Sequence, residues 1–355
     1  MTETLENRFI AVAKASIRPN KIVFYTQIID KNKIVSNDKK LSAAEKKAAF
    51  SALGECSTRA VDINSHNFEL SKKAANRIKE KVTWLYELAR NKTVTTSSGA
   101  VLQSFKMNFI TLTLPSVQKH QTSEITANCL NQFLTELKSK FGLTNYVWRL
   151  EFQKNGNAHY HIATDTFVDY TACKLIWNRC LYKLGYIAAY REKMEKLSFA
   201  EYCSLYSNNG KTPFNVLRER YYRGVATRWD SPNTVDVRAV SNARNIAFYI
   251  SKYITKKSEN TLNKIVSERE PNTSNLRLWY CSSSLSKLDK IEIFLDEYNE
   301  LVWDCLSSLN DVKKINYDYV SVWYWSNKDQ SDSCKRSFWQ IYRRYAAEQG
   351  YSPAR

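Results

Sequence analysis

Apolar and polar residues alternate along the middle of the chain in a pattern that predicts both strands and helices. Runs of alternating residues indicate half-buried strands, and apolar residues repeated every three or four positions indicate amphipathic helices. The predicted elements are a strand at 105–115, a helix at 122–142, a hairpin of 146–153 with 158–164, a helix at 169–186 and a strand at 235–240. This order is typical of an antiparallel sheet with helices on one face. We therefore predict an α+β fold, with mainly helical flanking segments.

Changes in residue pattern divide the chain into three predicted regions. Residues 1–100 are predicted to be a basic, largely helical N-terminal region, which includes a helix at 71–90 with Ser71 as its N-cap. Residues 101–260 are the predicted core, with an insertion at about 187–234, and residues 261–355 form an aromatic-rich C-terminal region. The core is therefore where the candidate chemistry is sought.

Charge favours an anionic partner. Lysine and arginine number 53 against 35 acidic residues, which gives a net charge of +18, and such an excess favours nucleic acid over a membrane surface. On the helix at 71–90, Lys73, Arg77 and Lys81 share one face. They are candidate DNA contacts, although a face of this kind is usually only a solvated surface.

Cysteines and apolar runs bear on location. The eight cysteines include no CxxC pair, which argues against a zinc knuckle or a disulfide framework and favours a reducing cytoplasm. No apolar run approaches the roughly 18 residues of a membrane span, and the first residues do not resemble a signal peptide. We expect a cytoplasmic protein without a membrane partner.

The predicted hairpin gathers polar side chains on one face. Side chains alternate along a strand, so Arg149, Glu151 and Gln153 share a face of the first strand, and His159 and His161 share a face of the second. If the apolar faces meet, these residues form one polar cluster. An odd-numbered connection centred on Gly156 would place Glu151 opposite His161 and Gln153 opposite His159.

This cluster suits a metal ion. Two imidazoles and an oxygen ligand bind Mg²⁺, Mn²⁺ or Zn²⁺. A His-x-His sequence on a strand is ordinarily an exposed edge, but the aligned polar residues in a chain with only four histidines favour ligation. Glu151 is the preferred third ligand because a carboxylate binds a hard cation better than an amide, and Gln153 is the alternative.

The sequence AFYISKYITKK (247–257) repeats a Tyr-x-x-Lys unit within a helix predicted from about 243 to 258. At about 100° per residue, Tyr249, Lys252, Tyr253 and Lys256 lie on one side of that helix. A phenol, with a pKa of about 10, is a better leaving group than an alcohol. A phosphotyrosine ester therefore keeps strand cleavage reversible. A basic amphipathic surface helix is the plainer interpretation of this stretch.

Together, three motifs resemble those of the HUH endonucleases, the rolling-circle replication initiators. They are FITLTLP, then Glu151-x-Gln-x-x-Gly-x-x-His-Tyr-His161, then the doubled Tyr-x-x-Lys. Their order and spacing are most similar to those of initiators of single-stranded DNA phages of the microvirus type. The segment RLWYCSSSLS (277–286) also resembles a run found in such initiators, so the resemblance covers about residues 105–286.

The resemblance implies a ferredoxin-like or RNA-recognition-like sheet with the His-x-His strand at its centre. It also implies Mg²⁺ or Mn²⁺ at His159, His161 and a third ligand, and a nicked single-stranded origin linked through its 5′-phosphate to Tyr249 or Tyr253. A host helicase and polymerase would be partners, in the cytoplasm of a bacterial cell infected by a phage or holding a plasmid. A two-tyrosine transposase, a relaxase and a non-enzymatic single-stranded nucleic-acid-binding protein are the alternatives.

Overall fold

A computed structural model describes residues 9–30, 70–95, 101–240, 266, 268–270, 276–295, 300–317, 320–325 and 330–354. The strands are β1 (Phe9–Arg18), β2 (Lys21–Asp30), β3 (Lys92–Thr95), β4 (Val101–Phe105), β5 (Met107–Leu112), β6 (Tyr146–Phe152), β7 (Ala158–Thr164), β8 (Val235–Val240), β9 (Trp279–Cys281), β10 (Ile291–Phe294), β11 (Lys313–Asn316) and β12 (Val320–Tyr324).

The α-helices among these residues are α1 (Lys72–Leu88), α2 (Thr122–Ile125), α3 (Asn131–Phe141), α4 (Tyr170–Lys183), α5 (Tyr186–Glu195), α6 (Phe199–Tyr206), α7 (Phe214–Ala226), α8 (Ser283–Lys287), α9 (Glu300–Ser307) and α10 (Asp332–Glu348). A π-helical turn, Thr126–Leu130, joins α2 to α3. Within the described ranges, no helix is both long enough and apolar enough to cross a bilayer.

Two compact units divide the chain. One combines Met1–Ser65 with Leu288–Gly350, and the other combines His66–Lys287 with Tyr351–Arg355. The structure therefore groups the two ends of the chain together, whereas the sequence pattern assigned them to separate regions. Both units contain an antiparallel five-stranded sheet, and the predicted α+β class is confirmed.

The unit that contains the hairpin is built on a sheet of order β8-β5-β7-β6-β9. The His-x-His strand β7 is thus at the centre, as the resemblance implies. One face of the sheet is apolar and packs against helices: Trp148, Tyr160 and Ile162 are buried against Phe133 of α3 and Trp177 of α4. The other face carries the polar residues of β6 and β7.

Helix ends in this unit follow the sequence signals. The Ser71 hydroxyl accepts a hydrogen bond from the Ala74 amide at 3.2 Å and caps α1. Gly142 ends α3 in the left-handed conformation, with φ of +66°, which glycine adopts without steric cost. Asp169 caps α4 through the Ala172 amide. These ends set the lengths of the helices that cover the sheet.

The segment expected as an insertion at about 187–234 forms most of α5 together with α6 and α7. Met194, Tyr202, Leu217 and Trp229 make a small core of their own. A Cβ on Gly224 would collide with the Trp229 ring, so only glycine lets that indole close the cluster. The insertion is therefore helical, although its sequence shows little regular pattern.

The other unit differs from the predicted mainly helical flank. Residues 9–30 form β1 and β2, and these pair with C-terminal strands in the order β10-β1-β2-β12-β11. Helix α10 packs on this sheet, where the Tyr342 hydroxyl donates to the Arg18 carbonyl at 3.2 Å. The helical prediction for these residues was wrong because their strand partners lie nearly a whole chain length away.

Candidate metal and nucleic-acid site

The hairpin turn decides which residues face one another. The Gly156 amide donates to the Gln153 carbonyl at 2.8 Å, and the Gln153 amide donates to the Asn157 carbonyl at 2.9 Å. Gly156 has a φ of +79°, as expected for the left-handed residue that closes a three-residue hairpin loop. The Asn155 side chain accepts from the Asn157 amide at 3.1 Å. The connection is odd-numbered, as predicted, but centred on Asn155.

The pairing register is therefore two residues away from the predicted one. Glu151 lies opposite His159, and Arg149 lies opposite His161. The predicted pairs, Glu151 with His161 and Gln153 with His159, were wrong because Gly156 closes the turn rather than standing at its centre. A shift of two residues leaves every side chain on its original face, so the polar cluster still forms.

Glu151, His159 and His161 lie close enough together to share one metal ion. One potential ligand atom from each lies within 4.8 Å of the others. His161 Nε2 is 3.4 Å from Glu151 Oε1, and the two side chains are only 9% and 11% exposed. The rings of His159 and His161 are nearly perpendicular, with centroids 4.5 Å apart. Nitrogen and carboxylate donors in this number fit a divalent cation with open coordination positions.

Polar neighbours hold the far side of each imidazole. Thr111 Oγ1 is 3.4 Å from His161 Nδ1, and Gln153 Nε2 is 3.3 Å from His159 Nδ1. The Thr113 hydroxyl in turn donates to Gln153 Oε1 at 3.3 Å. A metal-ligating histidine usually has its second nitrogen held in this way, which leaves Nε2 for the cation. With the Gln153 amide turned, its oxygen accepts from Nδ1–H and Nε2 of His159 keeps its lone pair.

Arg149 adds a positive charge beside this cluster. Burial lowers the pKa of its guanidinium, and the nearby Glu151 opposes that shift. Among the described residues, neither Nε nor Nη1 of Arg149 has a hydrogen-bond partner. A half-buried guanidinium with unpaired donors is costly by itself, and a phosphate oxygen would satisfy those donors with charge-assisted bonds.

Arg269 and Glu270 are two residues that the sequence interpretation missed. Arg269 Nη2 donates to the Gly156 carbonyl at 2.8 Å. Glu270 Oε1 accepts from the amide and the hydroxyl of Thr122 at 2.7 and 2.5 Å. Neither residue belongs to a recognisable motif, and only the folded chain brings them to the hairpin turn and the start of α2.

Several predicted site residues lie elsewhere. Lys73 and Arg77 are exposed on α1, whereas Lys81 is only 9% exposed and its Nζ donates to the Ser286 carbonyl at 3.2 Å. Lys81 therefore does not belong to the exposed basic face predicted for this helix. The tyrosine motif, Tyr249, Lys252, Tyr253 and Lys256, lies outside the described residues.

Comparison with known proteins gives one match. Residues 107–258 match the model of a family of replication-associated proteins, the ORF2 family. No curated protein and no solved structure matches the chain. The matched residues contain β5, the hairpin and the tyrosine motif, and the match is consistent with a replication initiator.

Proposed function

We propose that this protein initiates rolling-circle replication by nicking single-stranded origin DNA and linking a tyrosine to the new 5′-phosphate. The observation that carries the proposal is the cluster of Glu151, His159 and His161 on the central strands of an antiparallel sheet. The family match over residues 107–258 supports it independently, because it concerns a replication-associated family. The finer similarity, to HUH initiators of the microvirus type, rests on the sequence motifs.

In this proposal, His159, His161 and Glu151 hold Mg²⁺ or Mn²⁺, and Gln153 and Thr111 orient the two imidazoles. A bound divalent cation supplies Lewis-acid polarisation of the scissile phosphate. Arg149 then offers its free guanidinium donors to the same phosphate, and so stabilises negative charge as it develops. Glu151 is preferred to Gln153 as the third ligand because Gln153 already contacts His159.

Tyr249 and Tyr253 are the proposed nucleophiles. The phenolic oxygen of one forms a bond to phosphorus while the bond from phosphorus to the 3′-oxygen breaks. The phenolic proton passes to solvent, and the departing 3′-oxygen takes up a proton to become the hydroxyl that primes synthesis. Lys252 and Lys256 stabilise the transition state electrostatically. The second tyrosine would cut the regenerated origin after one round, and the strand would be rejoined.

Other parts of the proposal concern partners. A nicked origin needs strand separation and synthesis, so a host helicase and a DNA polymerase are the expected partners, in a bacterial cytoplasm. The net charge of +18 favours long-range attraction to DNA. The exposed Lys73 and Arg77 on α1 would add sequence-independent phosphate contacts.

A covalent-adduct assay tests the proposal. Single-stranded oligonucleotides with a randomised window, labelled at either the 5′ or the 3′ end, are incubated with the protein and Mg²⁺ or Mn²⁺. We expect a denaturant-resistant adduct that retains the 3′ label, since the fragment downstream of the nick is attached through its 5′-phosphate. The 5′-labelled fragment should be released with a free 3′-hydroxyl.

Matched variants make the result specific. The double variant Tyr249→Phe and Tyr253→Phe should form no adduct, whereas Tyr182→Phe, which changes an exposed tyrosine on α4, should react like the wild type. His159→Gln and His161→Gln should lower both Mn²⁺ affinity and adduct yield, and His120→Gln should alter neither. DNA binding without any adduct would instead favour the non-enzymatic binding protein. An adduct that persists in the double variant would refute the tyrosine mechanism.

A further inference from the structure

A cavity of about 460 Å³ lies on the helix-covered side of the sheet, beside strand β9. Strands β6 and β9 form one side of it, through Tyr146, Trp148 and Tyr280, and the helical stretch from α2 to α3 forms the other. Its volume falls within the range of about 300–1,000 Å³ that is usual for small-molecule sites. The cavity is separate from the Glu151–His159–His161 cluster, which lies on the opposite face.

The strand side of the cavity is aromatic. The Tyr280 ring has its centroid 6.3 Å from that of Tyr146 and 6.4 Å from that of Trp148. Trp148 is only 3% exposed and forms the floor, whereas Tyr280 is 37% exposed. The Arg277 guanidinium lies over the Tyr280 ring, 5.2 Å from its centroid. Accessible aromatic rings with an adjacent arginine are the combination on which unpaired bases stack.

The helix side of the cavity is polar. Ser123 contributes a hydroxyl and Asn131 a carboxamide, and both groups donate and accept hydrogen bonds. The Thr126 hydroxyl, by contrast, is already bonded to the Thr122 carbonyl and the Tyr160 hydroxyl, each at 2.8 Å. The π-helical turn that begins at Thr126 lines the same side, and such turns occur often at functional sites.

The cavity lies across the sheet edge from the proposed metal site. His161, Arg149 and Trp279 are directly paired across β7, β6 and β9, so their side chains form a row on the polar face. Strand β9 is the edge of the described sheet. Tyr280 follows Trp279 in the chain, and successive side chains point to opposite faces. A DNA strand that follows the row past Trp279 reaches the cavity by crossing this edge.

We propose that the cavity binds one unstacked base of the single-stranded DNA that the metal site cuts. The base stacks on Tyr280, its edge meets Ser123 and Asn131, and a neighbouring phosphate pairs with Arg277. This inference rests on the proposed function for the identity of its ligand. It adds a second contact point for the substrate, at which a base rather than a phosphate is recognised.

Photocrosslinking tests where the base lies. The probe is a short single-stranded oligothymidylate that carries one 5-iodouracil, bound to the full chain in the Tyr249→Phe and Tyr253→Phe background so that no cleavage intervenes. After irradiation, we expect the crosslinked peptide to contain Tyr280 or Trp148. A crosslink found only outside the cavity would overturn the proposal.

Affinity measurements supply a second readout that is independent of the crosslink. By fluorescence anisotropy, Tyr280→Ala should weaken oligothymidylate binding roughly 5- to 150-fold, the usual effect of removing one stacking ring. Tyr182→Ala, at an exposed tyrosine outside the cavity, should bind like the parent. Arg277→Ala should weaken binding and also reduce its salt dependence, as expected for one lost phosphate contact.

An abasic probe guards against a folding defect in the variant. On an oligonucleotide of abasic sites, the parent should lose affinity and Tyr280→Ala should lose no more, because there is no base to stack. If Tyr280→Ala binds both probes as the parent does, or weakens both equally, the cavity does not hold a base. A crosslink at Tyr280 without a covalent adduct in the wild type would refute nicking and leave the base site standing. The reverse outcome would refute only the base site.

Discussion

Glu270 offers the sharpest test of how the chain supports the hairpin. The first turn of α2 has no side-chain cap from its own N-cap residue, Gln121. Instead, Glu270 Oε1 accepts from both the amide and the hydroxyl of Thr122, and Arg269 Nε lies 3.3 Å from the same oxygen. Glu270 is only 4% exposed, so water does not readily replace it.

The size of the effect follows from these contacts. Glu270→Ala leaves the buried Thr122 donors and the Arg269 guanidinium without their acceptor, which should lower the free energy of unfolding by about 3–5 kcal/mol. Glu270→Gln keeps a carbonyl oxygen in place and removes only the charge, so a loss of about 1–2 kcal/mol is expected. Glu268→Ala changes an exposed carboxylate and should alter stability by less than about 0.5 kcal/mol.

Amide hydrogen exchange is the appropriate measurement because the two compact units can unfold separately, which makes a single global transition unsafe to interpret. Peptides that cover α2 and the hairpin should lose protection in the order Glu268→Ala, Glu270→Gln, Glu270→Ala. Since Arg269 also holds the Gly156 carbonyl, Mn²⁺ affinity should fall in the same order. Equal protection in the alanine and glutamine variants would refute this account of the cap.

Three further changes probe the metal cluster and its support. Thr111→Val removes the hydroxyl beside His161 Nδ1 and should weaken Mn²⁺ binding about 10- to 100-fold by calorimetry, whereas Thr111→Ser should bind normally. Asp165 is fully buried, and burial raises the pKa of its carboxyl above the ordinary value of 3.8, although the Ala354 amide and Asn145 oppose the shift. A raised folded-state pKa means that stability is lost as pH rises through it, so Asp165→Asn should gain stability relative to wild type from acidic to neutral pH in urea titrations; a constant difference would contradict this. Gly142→Ala meets no atom within 4 Å but must adopt a φ of +66°, so it should cost about 1–2 kcal/mol by the same titration, and no cost would show that the α3 end relaxes.

The core of the hairpin unit could be predicted from the sequence because its signals are local. Alternation along 146–153 and 158–164 fixes which side chains share a face, and Gly142 marks a helix end by its own conformational freedom. The second sheet could not be predicted in this way. Strand β1 pairs with β10, and β2 pairs with β12, so each partner lies hundreds of residues away.

Side-chain burial was also beyond the sequence pattern. Helical spacing places Lys81 on the same side of α1 as Lys73 and Arg77, but it does not show what packs there. In the folded unit, the Ser286 carbonyl accepts the Lys81 ammonium, and the lysine is withdrawn from the surface. Arg269 and Glu270 were missed for a similar reason: their acceptor and donor partners, Gly156 and Thr122, are over a hundred residues distant.

The hairpin shows why the metal donors were predictable although their pairing was not. Faces repeat every two residues along a strand, so any odd-numbered connection keeps Glu151, His159 and His161 on one face. The exact turn decides only which of these residues are direct neighbours. The positive φ of Gly156 moves the pairing by two residues and places Arg149, rather than Glu151, opposite His161. A guanidinium with free donors thereby comes to lie beside the donor set, where an incoming phosphate would need it. The turn conformation, more than the ligand motif, therefore determines the electrostatic character of the site.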